Sequence, residues 1–223
     1  QKRVEQYNFG IRKHLIEYDN VMNKQREIIY AERRFILEMD DLGEYVRDIM
    51  SDVVEHTAER YFTTARDSDL PGFVKWIRSR FGVSIGDESA MAEWEKEQVA
   101  ATATDQLQQA YVRKVQEAPA GMMRMFERFI LLQVLDAKWK DHLYNMDSLR
   151  EGIGLRAYGQ RDPLIEYQHE AYELFQTMVS RIKEDSVEML FKVRTDHEQP
   201  LTVRRVAATE SHPEAPVVRD IAQ

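Results

Sequence analysis

The sequence predicts an all-α protein: one long helix, a small helical domain, an antiparallel two-helix hairpin and an irregular C-terminal tail. Two observations carry that prediction. Apolar residues recur at three-, four- and seven-residue spacing through three long stretches, the period of one helical face. Glycine, proline and short polar residues punctuate those stretches where helices start and stop.

The first element runs from about Val4 to Met39 and sets the boundary of a unit at 1–39. Leu15, Met22, Ile29 and Ile36 stand seven apart, with Ile11 and Tyr18 beside them. No proline or glycine interrupts the stretch after Gly10. At 1.5 Å per residue the helix would be on the order of 50 Å long, more than a compact bundle of this size needs. Its other faces carry Arg12, Lys13, Lys24, Arg26, Glu27, Arg33 and Arg34. One apolar stripe between charged flanks suits a spine on which several bodies pack, or equally a solvated coiled-coil face.

The second unit, 40–118, opens where Gly43 breaks the pattern. Leu42, Tyr45, Val46, Ile49, Val53 and Tyr61 define a second helix. RDSDLPG reads as a turn, with Pro71 tolerated in a first helical turn. Phe73, Val74, Ile77 and Phe81 make a short third helix that stops at Gly82. Asp87 and Ser89 are candidate N-caps. A fourth helix, about Ala90 to Glu117, ends before Pro119; its Ala- and Gln-rich stripe is weak, which places it at the surface.

The third unit, 119–194, reads as the hairpin. Its first arm spans about Gly121 to Arg150, with Met125, Leu132, Trp139 and Met146 in one register and Phe129 and Leu143 interleaved. The return arm begins at Asp162-Pro163, an N-cap followed by proline at the first helical position. Leu164, Tyr167, Ala171, Leu174 or Phe175, Met178, Ile182 and Met189 carry its stripe. Two arms of similar length joined by a short loop lie antiparallel. Residues 195–223 hold three prolines and no helical period and read as a tail or linker, in which LTVRRV could form an edge strand on a partner.

Composition narrows the function. The chain has 223 residues and a net charge of −8, which argues against a dedicated nucleic-acid binder. It has no cysteine, so thiol nucleophiles, disulfides and Cys-ligated zinc are excluded. The longest apolar run, FILLQVL (Phe129–Leu135), is far too short to span a bilayer. The chain opens on Gln1 rather than Met and is expected to be a segment of something longer.

Catalytic and metal motifs are wanting. GIGLRAYG has neither the spacing nor the strand–loop–helix setting of a phosphate loop. Glu166-x-x-His169 is half of a di-iron motif whose second half the chain lacks. His142 sits near the core edge of its arm, where a buried, hydrogen-bonded histidine is the expected role. Asp136, beside the stripe, is expected to pair with a Lys or Arg. Nothing assembles a nucleophile, a base and an oxyanion donor, so the chain is expected not to be an enzyme, with no catalytic residue, metal or cofactor of its own.

GIGLRAYGQRDP, Gly152 to Pro163, is the exception among the connections. A loop at a helical corner is usually polar, yet this one, 151–162, carries Ile153, Leu155 and Tyr158 beside Arg156, Gln160 and Arg161. These side chains either fold back to plug the hairpin or form a contact tip. Tyrosine joins a broad apolar ring to one hydroxyl and presses against many kinds of partner.

Two blocks resemble the SecA family, the ATP-driven motor of bacterial protein export. NFGIRKHLIEYDNVMNKQREIIY (Asn8–Tyr30) looks like the start of its long scaffold helix. LDAKWKDHLYNMDSLREGIGLRAYGQRDPLIEYQHEAYELF (Leu135–Phe175) looks like its two-helix finger and fingertip. The segment between them is similar in position and helical pattern to the family's helical wing. The resemblance implies that nucleotide-binding domains upstream of Gln1 hydrolyse ATP with Mg. It implies that the long helix packs on those domains, with Arg12, Lys13, Asn23 and Arg26 as candidate contacts. The finger would reach into the mouth of the SecYEG channel, and Tyr158, Leu155, Arg156, Ile153 and Gln160 would touch unfolded preprotein or channel. The location implied is the bacterial cytoplasm, peripheral to the inner membrane. Two other readings stand beside it: a helical accessory module of a nucleic-acid helicase, and a free-standing helical adaptor.

Overall fold

A computed structural model describes residues 2–64, 67–156 and 162–194. Seven helices and one short ribbon account for them: α1 (Lys2–Glu38), α2 (Gly43–Tyr61), β1 (Phe62–Thr64), β2 (Asp67–Ser68), α3 (Leu70–Phe81), α4 (Glu88–Met91), α5 (Lys96–Glu117), α6 (Met122–Arg156) and α7 (Pro163–Lys192). The all-α expectation holds. The antiparallel ribbon, β1 against β2, occupies part of the stretch read as a turn.

Local chemistry sets the boundaries. The Asp69 carboxylate accepts from the Gly72 amide at 2.8 Å, with Pro71 in the first turn of α3. Gly82 ends that helix in the left-handed region, φ +69°, which costs glycine least. Asp87 caps α4, as the sequence suggested. The helix expected from Ala90 onward is instead split at residues 92–95. Glu95 and Gln98 form a reciprocal capping box that starts α5 at Lys96, so a new N-terminus interrupts the apolar count. Asp162 caps α7 through the Leu164 amide at 2.9 Å.

One continuous apolar core runs through most of the described chain. Ile29 and Ile36 of α1, Val46 to Ala58 of α2, Phe73 to Phe81 of α3, Val99 to Tyr111 of α5, Met123 to Trp139 of α6 and Phe175 to Leu190 of α7 share it. The fourth helix keeps an exposed outer face, with Glu97, Ala101, Asp105, Gln109 and Val112 on it, but its inner stripe is stronger than its composition suggested. Val99, Ala100, Ala103, Leu107 and Tyr111 of α5 are buried, the two alanines letting α5 lie close on its neighbours.

α6 and α7 form the antiparallel hairpin. Here the register read from sequence drifts. Trp139 and Met146 are buried, but Met125 is 67% exposed and Phe129 63%. A straight helix departs from a seven-residue repeat by about 20° per heptad, and three heptads separate Met125 from Met146. The inward row is instead Met123, Glu127, Ile130, Val134, Trp139, His142, Met146, Leu149 and Ile153. Near the far end of the hairpin a second, smaller cluster forms: Met146, Leu149, Ile153, Tyr167 and Ala171, with Tyr18 and Val21 of α1 against it.

Charged side chains bind α7 to α2, α3 and α6. Arg80 pairs with Glu188 and lies 3.8 Å from Glu184 and 3.9 Å from Asp185. Arg60 meets Glu184 at 3.0 Å, Lys138 meets Asp185 at 2.6 Å, and Lys183 pairs with Asp52.

Candidate functional site

The hairpin tip was the strongest sequence candidate, and its geometry starts with where α6 ends. Helical backbone continues through Gly152 and Gly154 to Arg156, so the connection is shorter than the expected 151–162. Ile153 is corrected from an exposed contact to a core residue. It is 3% exposed because four-residue spacing from Leu149 keeps it on the face packed against Tyr167 and Ala171. Leu155 and Arg156 lie on the last turn of α6, with side chains outside the described residues. Tyr158 and Gln160 also lie outside the described residues. The two arms, 35 and 30 residues, end at this connection as rods of about 45–50 Å.

α1 rests on both arms. The phenol ring of Tyr18 meets that of Tyr167 edge-on at 4.7 Å between centroids. Arg33 bonds Asp136 at 3.1 Å and Arg150 bonds Asp19 at 3.2 Å, so the expected pairing of Asp136 is present. Of the residues proposed to face upstream domains, Asn23 and Arg26 are exposed and bond each other at 3.4 Å. The side chains of Arg12 and Lys13 lie outside the described residues.

A surface hollow missed by the sequence reading lies between α1 and α6. Tyr30, Arg33, Arg34, Leu37, Glu38, Asp136 and Trp139 line about 640 Å³. Its signal was present: Tyr30 and Leu37 stand seven apart, off the main stripe of α1. Both are about half exposed.

Two buried polar groups have defined partners. His142 is buried, as expected. Its Nε2 lies 2.8 Å from Gln25 Oε1, and Trp139 stacks on the ring. Burial lowers its pKa and keeps the ring neutral. Glu127 is 3% exposed. The Tyr111 hydroxyl donates to one of its oxygens, while Oε2 has no partner. Burial pushes its carboxyl up, and the Tyr111 bond opposes the rise only in part.

The raised Glu127 pKa has a stability consequence of definite sign. The folded state holds the proton more tightly than the unfolded state. Its contribution is fully present below the unfolded value of 4.5 and is lost as pH rises through the folded value. Glu127→Gln keeps an acceptor for Tyr111 and removes the titration. The variant is expected to gain stability relative to wild type as pH rises from 4.5 to 8. Urea midpoints across that range check it; a constant difference would show that Glu127 does not titrate differently on folding.

Among the described residues no cluster of His, Cys, Asp or Glu could hold a metal ion. His169 lies 3.7 Å from Glu173 on an exposed face, away from any second pair of ligands. No described helix is long and apolar enough to cross a membrane.

Residues 1–194 match the family described as SecA Wing and Scaffold domain. The chain is 44% identical over 198 residues to the protein translocase subunit SecA of Syntrophomonas wolfei, covering 87% of this chain and 24% of that protein. It is 42% identical over 224 residues to the SecA subunit of Pelotomaculum thermopropionicum, covering 97% and 25%. With SecA 1 of Mycobacterium ulcerans it shares 41% identity over 213 residues, covering 88% and 22%. The chain thus spans about a quarter of the length of these relatives.

Proposed function

The chain belongs to the SecA family, and we propose on that premise that it is a non-catalytic segment that relays motion from an ATP-driven motor to a translocating polypeptide. In this reading α1 is the scaffold helix, residues 40–118 are the wing, and α6 with α7 is the two-helix finger. ATP and Mg²⁺ belong to nucleotide-binding domains upstream in the longer protein. Tyr30 and Leu37, half exposed beside Trp139, give those domains an apolar seat on α1. The relatives are protein translocase subunits by name, which supports unfolded preprotein and the SecYEG channel as partners at the cytoplasmic face of the membrane.

One observation carries this reading furthest: two long arms, bound to each other and to α1, converge on a connection whose sequence is Ala157-Tyr158-Gly159-Gln160-Arg161. A stiff hairpin can press its end on a partner without bending, and a tyrosine there suits contact with varied polypeptide. Leu155 and Arg156, on the last turn of α6, would extend that contact surface.

A photo-crosslinking amino acid at position 158 of the longer protein tests it. Labelling of preprotein or channel during ATP turnover is expected. Absence of labelling in an actively transporting complex would remove the contact role. Tyr158→Gly is expected to lower transport more than ATP hydrolysis; transport at the parental rate would count equally against the tip.

A further inference from the structure

Three side-chain hydrogen bonds among the described residues are fully buried, and two of them form a single relay. Gln25 on α1 donates from Nε2 to the Ala171 carbonyl on α7 at 3.0 Å. Its Oε1 lies 2.8 Å from His142 Nε2 on α6. Since the amide oxygen only accepts, His142 carries its proton on Nε2. One amide of α1 therefore engages both arms of the hairpin at once.

The relay lies at the boundary between the two apolar clusters. Ile29, Trp139, Phe175 and Met178 lie on one side. Met146, Leu149, Tyr167 and Ala171 lie on the other, with Tyr18 and Val21. Met22 is the α1 residue that touches both. Apolar contact is non-directional and survives small sliding movements. A hydrogen bond depends on distance and angle, so sliding α1 along the hairpin breaks both bonds together. Arg128 of α6 also reaches the Ile36 carbonyl of α1 at 3.4 Å, and two further polar ties from α1 to α6, Arg33–Asp136 and Arg150–Asp19, are ion pairs about half exposed. Solvent and salt weaken such pairs.

We propose that Gln25, with His142, is the positioning residue through which α1 fixes the register of both hairpin arms, so that displacing α1 moves the arms as a pair. Its role in transport rests on the reading of the preceding section; its role in register does not.

The chain has no cysteine, so introduced pairs Lys24→Cys with Lys140→Cys, and Lys24→Cys with Gln168→Cys, are unique sites for spin labels. One narrow distance distribution is expected for each pair on the parental background. Gln25→Leu with His142→Leu removes both polar partners, and apolar replacement of a buried polar pair is often neutral or stabilising. That variant is expected to melt near the parental temperature yet broaden both distributions. Gln25→Glu keeps an acceptor for His142 but loses the donor to Ala171. It is expected to leave the Lys24–Lys140 distribution narrow and broaden only Lys24–Gln168. In the longer motor the double Leu variant is expected to lower transport per ATP hydrolysed at least about fivefold, the scale of a modest coupling energy. Two distributions as narrow as the parental ones overturn the proposal; broadened distributions with an unchanged transport ratio overturn its role in transport. Failure of Tyr158 labelling on the parental background instead strikes the earlier reading and leaves the distances to decide this one.

Discussion

Tyr167→Ala is expected to lower stability by about 3–5 kcal/mol, the range for truncating a large buried aromatic. Tyr167 is among the largest fully buried side chains, and it belongs to the smaller cluster, where few neighbours could close the void. Five buried residues make up that cluster, and Tyr167 supplies its one aromatic ring. Losing it also removes the edge contact to Tyr18, so α1 and the far hairpin separate along with the arms themselves. Burial raises the Tyr167 pKa, consistent with a phenol held away from water. The damage is expected to be local. Hydrogen exchange should rise in residues 143–153 and 163–174 while amides of α2, α3 and α5 keep their protection. A uniform rise across all helices would mean that the two clusters melt as one, and the separation drawn here would be wrong.

The extent of that cluster shows how far periodicity reaches. Long helices, the Asp162-Pro163 start, the Gly82 stop and the Asp87 cap were legible because each depends on a few adjacent residues. The inward face of α6 was legible near Trp139 and Met146 and lost by Phe129, because a heptad count and a straight helix part company over that distance. The inner stripe of α5 was underestimated because alanines score as weak apolar residues, although small side chains are what allow close packing. Partners across the fold were not legible at all. Gln25 and His142 are 117 positions apart, and a glutamine on a helix reads as solvent-exposed until another helix covers it. Glu127 was hidden for the same reason: an isolated carboxylate in an apolar stripe gives no sign of the Tyr111 hydroxyl that meets it. Of the candidate tip, Ile153 could have been excluded by continuing the four-residue spacing of Met146, Leu149 and Ile153. The glycines at 152 and 154 argued for a loop, and the packing of the flanking turns overrode them.

Arg80→Glu is expected to be the second most damaging change, about 2–3 kcal/mol. That is below the ~3–5 kcal/mol of breaking a fully buried ion pair, because the Arg80 side chain is 35% exposed. Its partners are less exposed, 13% for Glu184 and 16% for Glu188. Reversal leaves these carboxylates and Asp185 facing a fourth, with Arg60, Lys138 and Lys192 the remaining cations paired to them. Like charges this close repel strongly where water is partly excluded. The site also matters for its position. Arg80 joins α3 to α7, so the change loosens the helices between residues 43 and 81 from the return arm of the hairpin. Adding Glu188→Arg to the variant restores an opposite pair and is expected to recover at least about 1 kcal/mol. Raising salt should narrow the gap between Arg80→Glu and wild type, since the repulsion is partly screened and the packing is not. Thermal melts of the single and double variants at low and high salt measure both effects. A loss under about 0.5 kcal/mol, the level of an ordinary surface substitution, would mean that apolar packing alone fastens α3 to α7.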